Sequence, residues 1–143
     1  MDAHLLKIVL ACVDVSMAAV SWLILLCTYP DFARWRPEGF AAAHDAYTRR
    51  VGRIVGPLLI LQLLGHLWAA SVGNWFGLVL VAACWALTAL WSVPCHRRLR
   101  DEGPDSEGLA SLVRSHAWRT VLWTLLALLS VVGAADLTGL GSG

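Results

Sequence analysis

The chain has 143 residues, of which 58% are hydrophobic and 15% are charged, and its mean hydropathy is +0.65. This length suits one domain, and a soluble domain of this size has too little interior to bury so much apolar surface. Lipid is therefore the expected surrounding of its outer surface. A net charge of +1 excludes the strong electrostatic attraction that nucleic-acid binding needs, so no nucleic-acid partner is expected.

Four stretches are long and apolar enough to cross a hydrocarbon layer of about 30 Å, which takes about 20 residues of helix. Because backbone groups in lipid must satisfy their own hydrogen bonds, each stretch is predicted to be an α-helix. The predicted fold is all-α, an integral membrane four-helix bundle that forms a single domain over residues 1–143. The predicted spans are residues 5–28, 51–71, 75–93 and 119–135.

The first predicted span has one charged residue near its middle, Asp14, and is expected to end at Pro30. The second span carries His66 in its outer half, and at 1.5 Å per residue both side chains lie about 9–14 Å from the outer end. A carboxylate inside a membrane needs a partner. We therefore expect Asp14 and His66, with or without Gln62, to form a structural hydrogen-bonded pair; a proton path or a ligand contact is the alternative.

The segment between the first two spans is predicted to form an amphipathic helical extension on the cytoplasmic side. Pro37 suits its first turn, because the φ angle of proline is already helical. The extension is expected to continue into the second span. The residues that helical spacing places on its inward face are Phe40, His44, Tyr47 and Val51.

The second span also carries small residues at a spacing that lets helices approach closely, namely Gly65, Ala69 and Gly73. This stripe is predicted to pack against a neighbouring helix, in self-association or in a larger membrane complex. The third span has no charged residue and is expected to end at Pro94, directly before His96. The fourth helix is expected to begin on the cytoplasmic side, ahead of its span.

The basic residues are distributed unequally between the two ends of the predicted bundle. Of the 11 lysines and arginines, Lys7 alone lies at the end that holds the termini. Because cytoplasmic loops carry the excess of Lys and Arg, the long loops are expected inside and both termini outside, in a plasma (bacterial inner) membrane. The arginines near the long loops are Arg34, Arg36, Arg49, Arg50, Arg53, Arg97, Arg98, Arg100, Arg114 and Arg119.

Polar aromatic residues from four chain segments converge on the same membrane face. They are His44, His96, His116, Tyr29 and Tyr47. One interpretation is ordinary enrichment of such residues in the headgroup zone; the other is a polar pocket at the cytoplasmic mouth of the bundle. No cofactor and no metal site is predicted, since none of the spacings is a metal signature. A metal ion or haem b held by the three histidines is the alternative.

Three short motifs resemble the anthrone-oxygenase-like family, a group of small four-helix membrane proteins, and the resemblance covers most of the chain. The motifs are Tyr29-Pro30-x-Phe32, Val93-Pro94-Cys95-His96-x-x-Leu99 and His116-x-Trp118-Arg119-Thr120. In that family the third helix closes with Val-Pro-Leu-Asn, and the fourth opens with an Asn three residues before an Arg. Here His96 and His116 stand at the two asparagine positions, which suggests a subgroup with its own ligand or the exchange of one polar anchor for another.

The resemblance implies an oxygenase that needs no cofactor. An anthrone or quinol becomes electron-rich once a base removes its acidic proton, and the anion can then react with O₂ in a dry pocket. By this resemblance His116 or His44 is the base, and Arg119 or Arg50 holds the anion. Tyr47 is the orienting donor among the catalytic residues, Trp118, Trp123 and Phe40 hold the flat ring, and His96 is a further ligand contact.

Three classes of function stay open at the level of the sequence. The first is an accessory or structural subunit beside a larger membrane complex, favoured by the small size, the eight tryptophans and the small-residue stripe. The second is a membrane enzyme or binder for a lipophilic aromatic molecule. The third is a haem- or metal-binding electron carrier. The sequence does not decide whether the protein is an enzyme.

Overall fold

The computed structural model describes residues 3–104 and 106–135, which form four long helices and no strand. We number them α1 to α4 in chain order. The helices are α1, Ala3–Phe32; α2, Phe40–Ser71; α3, Trp75–Glu102; and α4, Ser106–Ala135. Each is long and apolar enough to cross a membrane, so the predicted all-α four-helix membrane bundle is confirmed.

The helices form a closed ring in which α1 packs against α2 and α4, and α3 packs against the same two helices. A short turn, Val72 to Asn74, joins α2 to α3. Gly73 in this turn has a φ of +98°, a left-handed conformation that glycine adopts without steric cost. The outer surface of the ring is apolar. In the most apolar 18-residue stretch of each helix, only 22% to 33% of the residues are buried, so lipid must cover the remainder.

Two helices continue through prolines at which the sequence predicted their ends. The predictions at Pro30 and Pro94 were wrong, because α1 continues to Phe32 and α3 continues to Glu102. Both prolines lie in the first turn of the α-helical segment that follows a distortion, a position where the missing N–H of proline leaves no helical bond unmade.

The distortion is a π-helical turn at the same level in both helices, Ile24–Thr28 in α1 and Thr88–Ser92 in α3. In each, the N–H of the following residue, Tyr29 or Val93, donates to a carbonyl five residues earlier. The wider turn accommodates the proline ring and rotates the following residues relative to a regular helix. Single π-helical turns of this kind frequently lie at functional sites.

The start of α2 also differs from the sequence prediction. The helix begins at Phe40 rather than Pro37, because Gly39 takes a left-handed conformation with a φ of +81° directly before it. From Phe40 the helix is continuous to Ser71, so the extension and the second span form one helix, as predicted. The fourth helix begins at Ser106, well ahead of its span, as predicted.

The helices are longer than a membrane requires. With 28 to 32 residues they measure about 42–48 Å at 1.5 Å per residue, against a hydrocarbon thickness of about 30 Å. The surplus lies at the end opposite the Val72–Asn74 turn, where Arg49, Arg50 and Arg97 are exposed. We call this the inner end of the bundle.

Small polar side chains hold α4 against both of its neighbours. The hydroxyl groups of Ser21 and Thr120 are 2.7 Å apart between α1 and α4, and those of Ser92 and Ser115 are 3.0 Å apart between α3 and α4. All four residues are buried. Short hydrogen-bonding side chains of this kind allow close helix approach in lipid, where no hydrophobic force draws helices together.

Apolar side chains fill two levels of the bundle. At the inner end they form what we call the inner plug, which consists of Tyr29, Phe32, Phe40, Cys95, Leu99 and Leu112. Nearer the membrane centre is a second cluster, Met17, Ala18, Cys84, Trp123 and Ala127. The space between the two levels is only partly filled.

The small-residue stripe of α2 serves packing within the chain. A Cβ added to Gly65 would lie 2.6 Å from Cδ1 of Leu10, so α1 and α2 touch there because Gly65 has no side chain. Ala69 is buried, and Gly73 lies in the turn beyond the helix. Self-association through this stripe stays a prediction.

Gly77 of α3 is the second close contact, and it yields a stability prediction. A Cβ at this position would overlap Nδ1 of the buried His66, whereas a Cβ at Gly52 meets no atom within 4 Å. We expect Gly77→Ala to lower the free energy of unfolding in detergent by about 1–3 kcal/mol, the usual cost of overpacking. Gly52→Ala is the control and should leave stability unchanged or higher; equal stability of the two variants would contradict the tight contact.

Candidate functional site

A cavity of about 330 Å³ lies in the inner half of the bundle and has walls from all four helices. This volume is at the lower end for small-molecule sites, which are typically apolar with a few placed polar groups. The apolar wall includes Met17, Val20, Ile24, Val51, Val55, Val93 and Trp123. The polar lining groups are Ser21, Tyr29, Tyr47, Thr48, Thr88, His96, His116 and Arg119.

The position of α2 creates this cavity. The two π-helical turns both pack against α4, but neither packs closely against α2. Below the cavity α2 is held by Phe40 in the inner plug, and above it Leu58 and Leu59 pack against the central cluster. Between Tyr47, which contacts Phe32, and Leu58, α2 does not pack closely against the two π-helical turns, and the cavity occupies this gap.

Arg119 is the dominant charge in the cavity wall. Its residue is only 7% exposed. Nη1 donates to the hydroxyl of Thr88 at 3.0 Å, Nη2 donates to Nδ1 of His116 at 2.8 Å, and the guanidinium carbon lies 5.5 Å from the centre of the Trp123 ring. Thr88 is oriented for this by its own bond to the carbonyl of Cys84. The guanidinium is thus held rigidly.

No carboxylate balances this charge within the described part of the chain. Neither Asp nor Glu is among the described residues that line the cavity, and the ion pairs of the described residues do not include Arg119. Its Nε is buried and has no hydrogen-bond partner there. An unpaired buried cation is costly in low dielectric. The site is therefore electrostatically incomplete and suited to an anionic group.

His116 has both ring nitrogens engaged. Because the arginine can only donate, Nδ1 of His116 accepts, and the proton on Nε2 is donated to the carbonyl oxygen of Ser21 at 3.0 Å. The edge of this ring also meets Tyr29, with ring centres 5.0 Å apart at 84°. His116 lies in the predicted site, but this geometry favours a role in orienting Arg119 over the predicted role of base.

His96 is the imidazole that presents a free nitrogen to the cavity. Its Nδ1 lies 3.0 Å from Nε2 of His44, and Nε2 has no partner among the described residues. Nδ1 of His44 is buried and unpaired behind the Phe40 ring, which stacks on the imidazole at 5.6 Å. A buried nitrogen that accepts no hydrogen bond costs less free energy than a buried N–H that donates none. We therefore assign the bridging proton to His44, which leaves an N–H on Nε2 of His96 facing the cavity.

Tyrosine rings close the inner side of the cavity. Tyr29 is buried beside the Arg119 guanidinium. Tyr47 lies against Phe32, with ring centres 5.0 Å apart at 87°. The predicted pocket at the cytoplasmic mouth thus lies deeper than expected, because the inner plug fills the mouth itself.

Four of the residues predicted as catalytic or ligand-binding do not line the cavity: His44 and Phe40, which are buried at the level of the inner plug, and Trp118 and Arg50. Trp118 is 60% exposed, and Arg50 is also exposed on the bundle surface. Neither is positioned for the ring contact or anion binding that the resemblance implied. Helical spacing explains the first case, because Trp118 lies on the face of α4 opposite Arg119 and Trp123.

Thr88 and Ser21 were not singled out from the sequence, and Thr120 was named only as part of a family motif. Thr88 and Thr120 fix Arg119 and Ser21, respectively, and Ser21 offers its carbonyl to His116. Thr88 is a polar residue in a span that has no charged residue, and this could have marked it as a candidate site residue. The carbonyl contact leaves no trace in the sequence.

A second polar centre lies in the outer half of the bundle, around the fully buried Asp14. Its carboxylate accepts hydrogen bonds from Gln62 at 2.8 Å, from His66 at 3.1 Å and from Ser130. The structure brings the predicted Asp14–His66 pair together and adds Ser130. Trp123 donates to Gln62 at 3.2 Å and so links this centre to Arg119, but neither an amide nor an indole relays protons readily.

The predicted histidine set is not arranged as a common ligand shell. Among the described residues no group of three or more His, Cys, Asp or Glu side chains stands together. His44 and His96 are bonded directly to each other, and the nitrogens of His116 are used elsewhere. A haem or metal ion at these histidines stays a prediction.

Comparisons of the chain with protein-family models, with curated proteins and with solved structures gave no match.

Proposed function

We propose that the protein binds a lipophilic aromatic molecule with an acidic hydroxyl or enol, as its anion, in the cavity beside Arg119. The observation that carries this proposal is the buried guanidinium, rigidly held and without a carboxylate partner among the described residues. A phenolate or enolate would supply the missing negative charge through charge-assisted hydrogen bonds. The N–H of His96 is a second donor on the same cavity.

The remaining walls suit a flat apolar molecule. Trp123, Val51 and Val55 offer apolar and aromatic surface, and the polar groups converge on one side of the cavity. Packing beside a larger membrane complex and electron transfer by a haem or metal ion stay predictions, and neither explains why a cation is buried here. The buried cation is what favours a small anionic ligand.

Binding is tested with two quinones that differ in one acidic group. The probes are 2-hydroxy-1,4-naphthoquinone, which is ionised at neutral pH, and 1,4-naphthoquinone, which is neutral. Arg119→Gln should weaken binding of the ionised probe by about tenfold or more, because it removes one charge-assisted hydrogen bond to the ligand. Binding of the neutral probe should change little. Isothermal titration calorimetry in mild detergent measures both.

Arg50→Gln is the matched control, because it removes one exposed arginine from the same end of the bundle. Its affinity for both probes should equal that of the unmodified protein. Equal affinities of the Arg119→Gln and Arg50→Gln variants for the ionised probe would remove the proposal.

We further propose, on the strength of the resemblance to the anthrone-oxygenase-like family, that the bound anion reacts with O₂. Accepting a proton requires the other tautomer of the histidine pair, not the one assigned above. In it the bridging proton lies on Nδ1 of His96, the proton of His44 lies on its Nδ1, and Nε2 of His96 is free to take the acidic proton of an anthrone. The carbanion then forms a C–O bond to O₂, and the resulting peroxide anion takes the proton back from Nε2 of His96. Loss of water from this hydroperoxide gives the quinone. Arg119 stabilises the anion throughout.

His96→Gln separates binding from this chemistry, because glutamine keeps an N–H donor but cannot take a proton. We expect anthrone to bind with an affinity within about threefold of normal, since a single neutral hydrogen bond is worth about 1 kcal/mol. Protein-dependent O₂ uptake should fall by about 100-fold, in line with loss of a general base. An oxygen electrode measures the rate, and unchanged O₂ uptake by this variant would exclude His96 as the base.

For the orientation, we propose a bacterial inner membrane with the arginine-rich inner end of the bundle in the cytoplasm, since basic residues accumulate on that side. In intact cells a membrane-impermeant maleimide should label Val72→Cys, whereas Arg36→Cys should react only after permeabilisation. The unmodified protein is the control for its exposed Cys12 and Cys27. The opposite labelling pattern would reverse the orientation.

A further inference from the structure

Access to the cavity from the inner end of the bundle is closed. Of the inner-plug residues, Phe32, Leu99 and Leu112 are each 0% exposed. Tyr29 of this plug and the neighbouring Tyr47 form the inner wall of the cavity, and the His44–His96 bond ties α2 to α3 at the same level. A ligand from the cytoplasm would have to disrupt this packed layer.

The side of the bundle is open at α2 instead. Gly52 lines the cavity and is also exposed on the outer surface, and a side chain added there would meet no atom within 4 Å. Val93 of α3 likewise lines the cavity and is 37% exposed. The cavity therefore reaches the surface beside Gly52, on the side of α2 that faces α3.

We infer that the ligand enters sideways from the inner leaflet of the bilayer, past Gly52, and is therefore an amphiphile dissolved in the membrane rather than in the cytoplasm. This inference rests on the proposed function, since it concerns the same cavity and the same acidic ligand. It adds the source of the ligand and the residue that limits its passage.

The depth of the opening fits such a molecule. Gly52 lies 19 residues before Ser71 at the outer end of α2, which is about 29 Å along the helix and close to the thickness of the hydrocarbon layer. The opening thus lies at the inner boundary between acyl chains and headgroups. The exposed Arg49 and Arg53 are near it on the same helix. An acidic head would rest beside these arginines while its rings stay in the acyl region.

The route is tested by narrowing the opening without altering the binding groups. Gly52→Leu places a side chain in open space at the opening, and Gly56→Leu makes the same change one turn away. Gly56 does not line the cavity, so it is the matched control. Binding of 2-hydroxy-1,4-naphthoquinone is followed by stopped-flow quenching of tryptophan fluorescence, with the protein in lipid nanodiscs.

For Gly52→Leu we expect the association and dissociation rate constants both to fall, by about tenfold, because the ligand uses one passage in both directions. The Kd should change less than about threefold, which also shows that the variant is folded. Gly56→Leu should bind at the normal rate. The side opening is overturned if Gly52→Leu binds at the normal rate, or if both leucine variants slow binding equally.

The outcome is distinguishable from failure of the proposed function. If the route is wrong but the function is right, Gly52→Leu binds at the normal rate while Arg119→Gln still loses affinity for the ionised probe. If the function itself is wrong, Arg119→Gln and Arg50→Gln bind the probe alike, whatever the rates of the glycine variants.

Discussion

The inner half of the protein is organised around one unbalanced charge. A guanidinium in a low-dielectric interior needs compensation, and the partners of Arg119 among the described residues are neutral: the imidazole of His116, the hydroxyls of Thr88 and Tyr29, and the face of the Trp123 ring. Each of these holds the side chain in place without cancelling its charge. This arrangement leaves a buried cation without a compensating carboxylate among the described residues, which is energetically costly.

The polar centre around Asp14 in the outer half differs from the Arg119 site in how its buried group is satisfied. Asp14 is equally buried, but Gln62, His66 and Ser130 surround its carboxylate with donors, so its hydrogen-bonding capacity is filled within the chain. No open acceptor is left for a ligand. The outer half of the bundle therefore holds a carboxylate whose hydrogen bonds are filled within the chain, and the inner half holds Arg119, for which the described residues supply no carboxylate. Trp123 joins the two centres and fixes the distance between them.

Backbone irregularities make room for this site. Regular packing of four antiparallel helices leaves no cavity, since protein interiors are filled to crystal-like density. The π-helical turns before Pro30 and Pro94 lie at one level of the bundle, and both lean on α4 rather than α2. The resulting gap beside α2 is the cavity, and Gly52, which lines it, is also exposed on the outer surface. Pro30 and Pro94 were expected to end helices; instead they follow π-helical turns beside the cavity.

The sequence by itself determined the membrane fold, because hydrophobic length is a local property that can be counted along the chain. It also pointed to Asp14 with His66 and to Arg119 with the histidines, since buried charge in an apolar span is rare enough to be informative. Only the tertiary structure decided which nitrogen of each histidine is free, that Trp118 and Arg50 face outward, and that helices continue through two prolines. These facts depend on helix rotation and on contacts between residues up to 116 positions apart, such as Ser130 with Asp14, which no local pattern records.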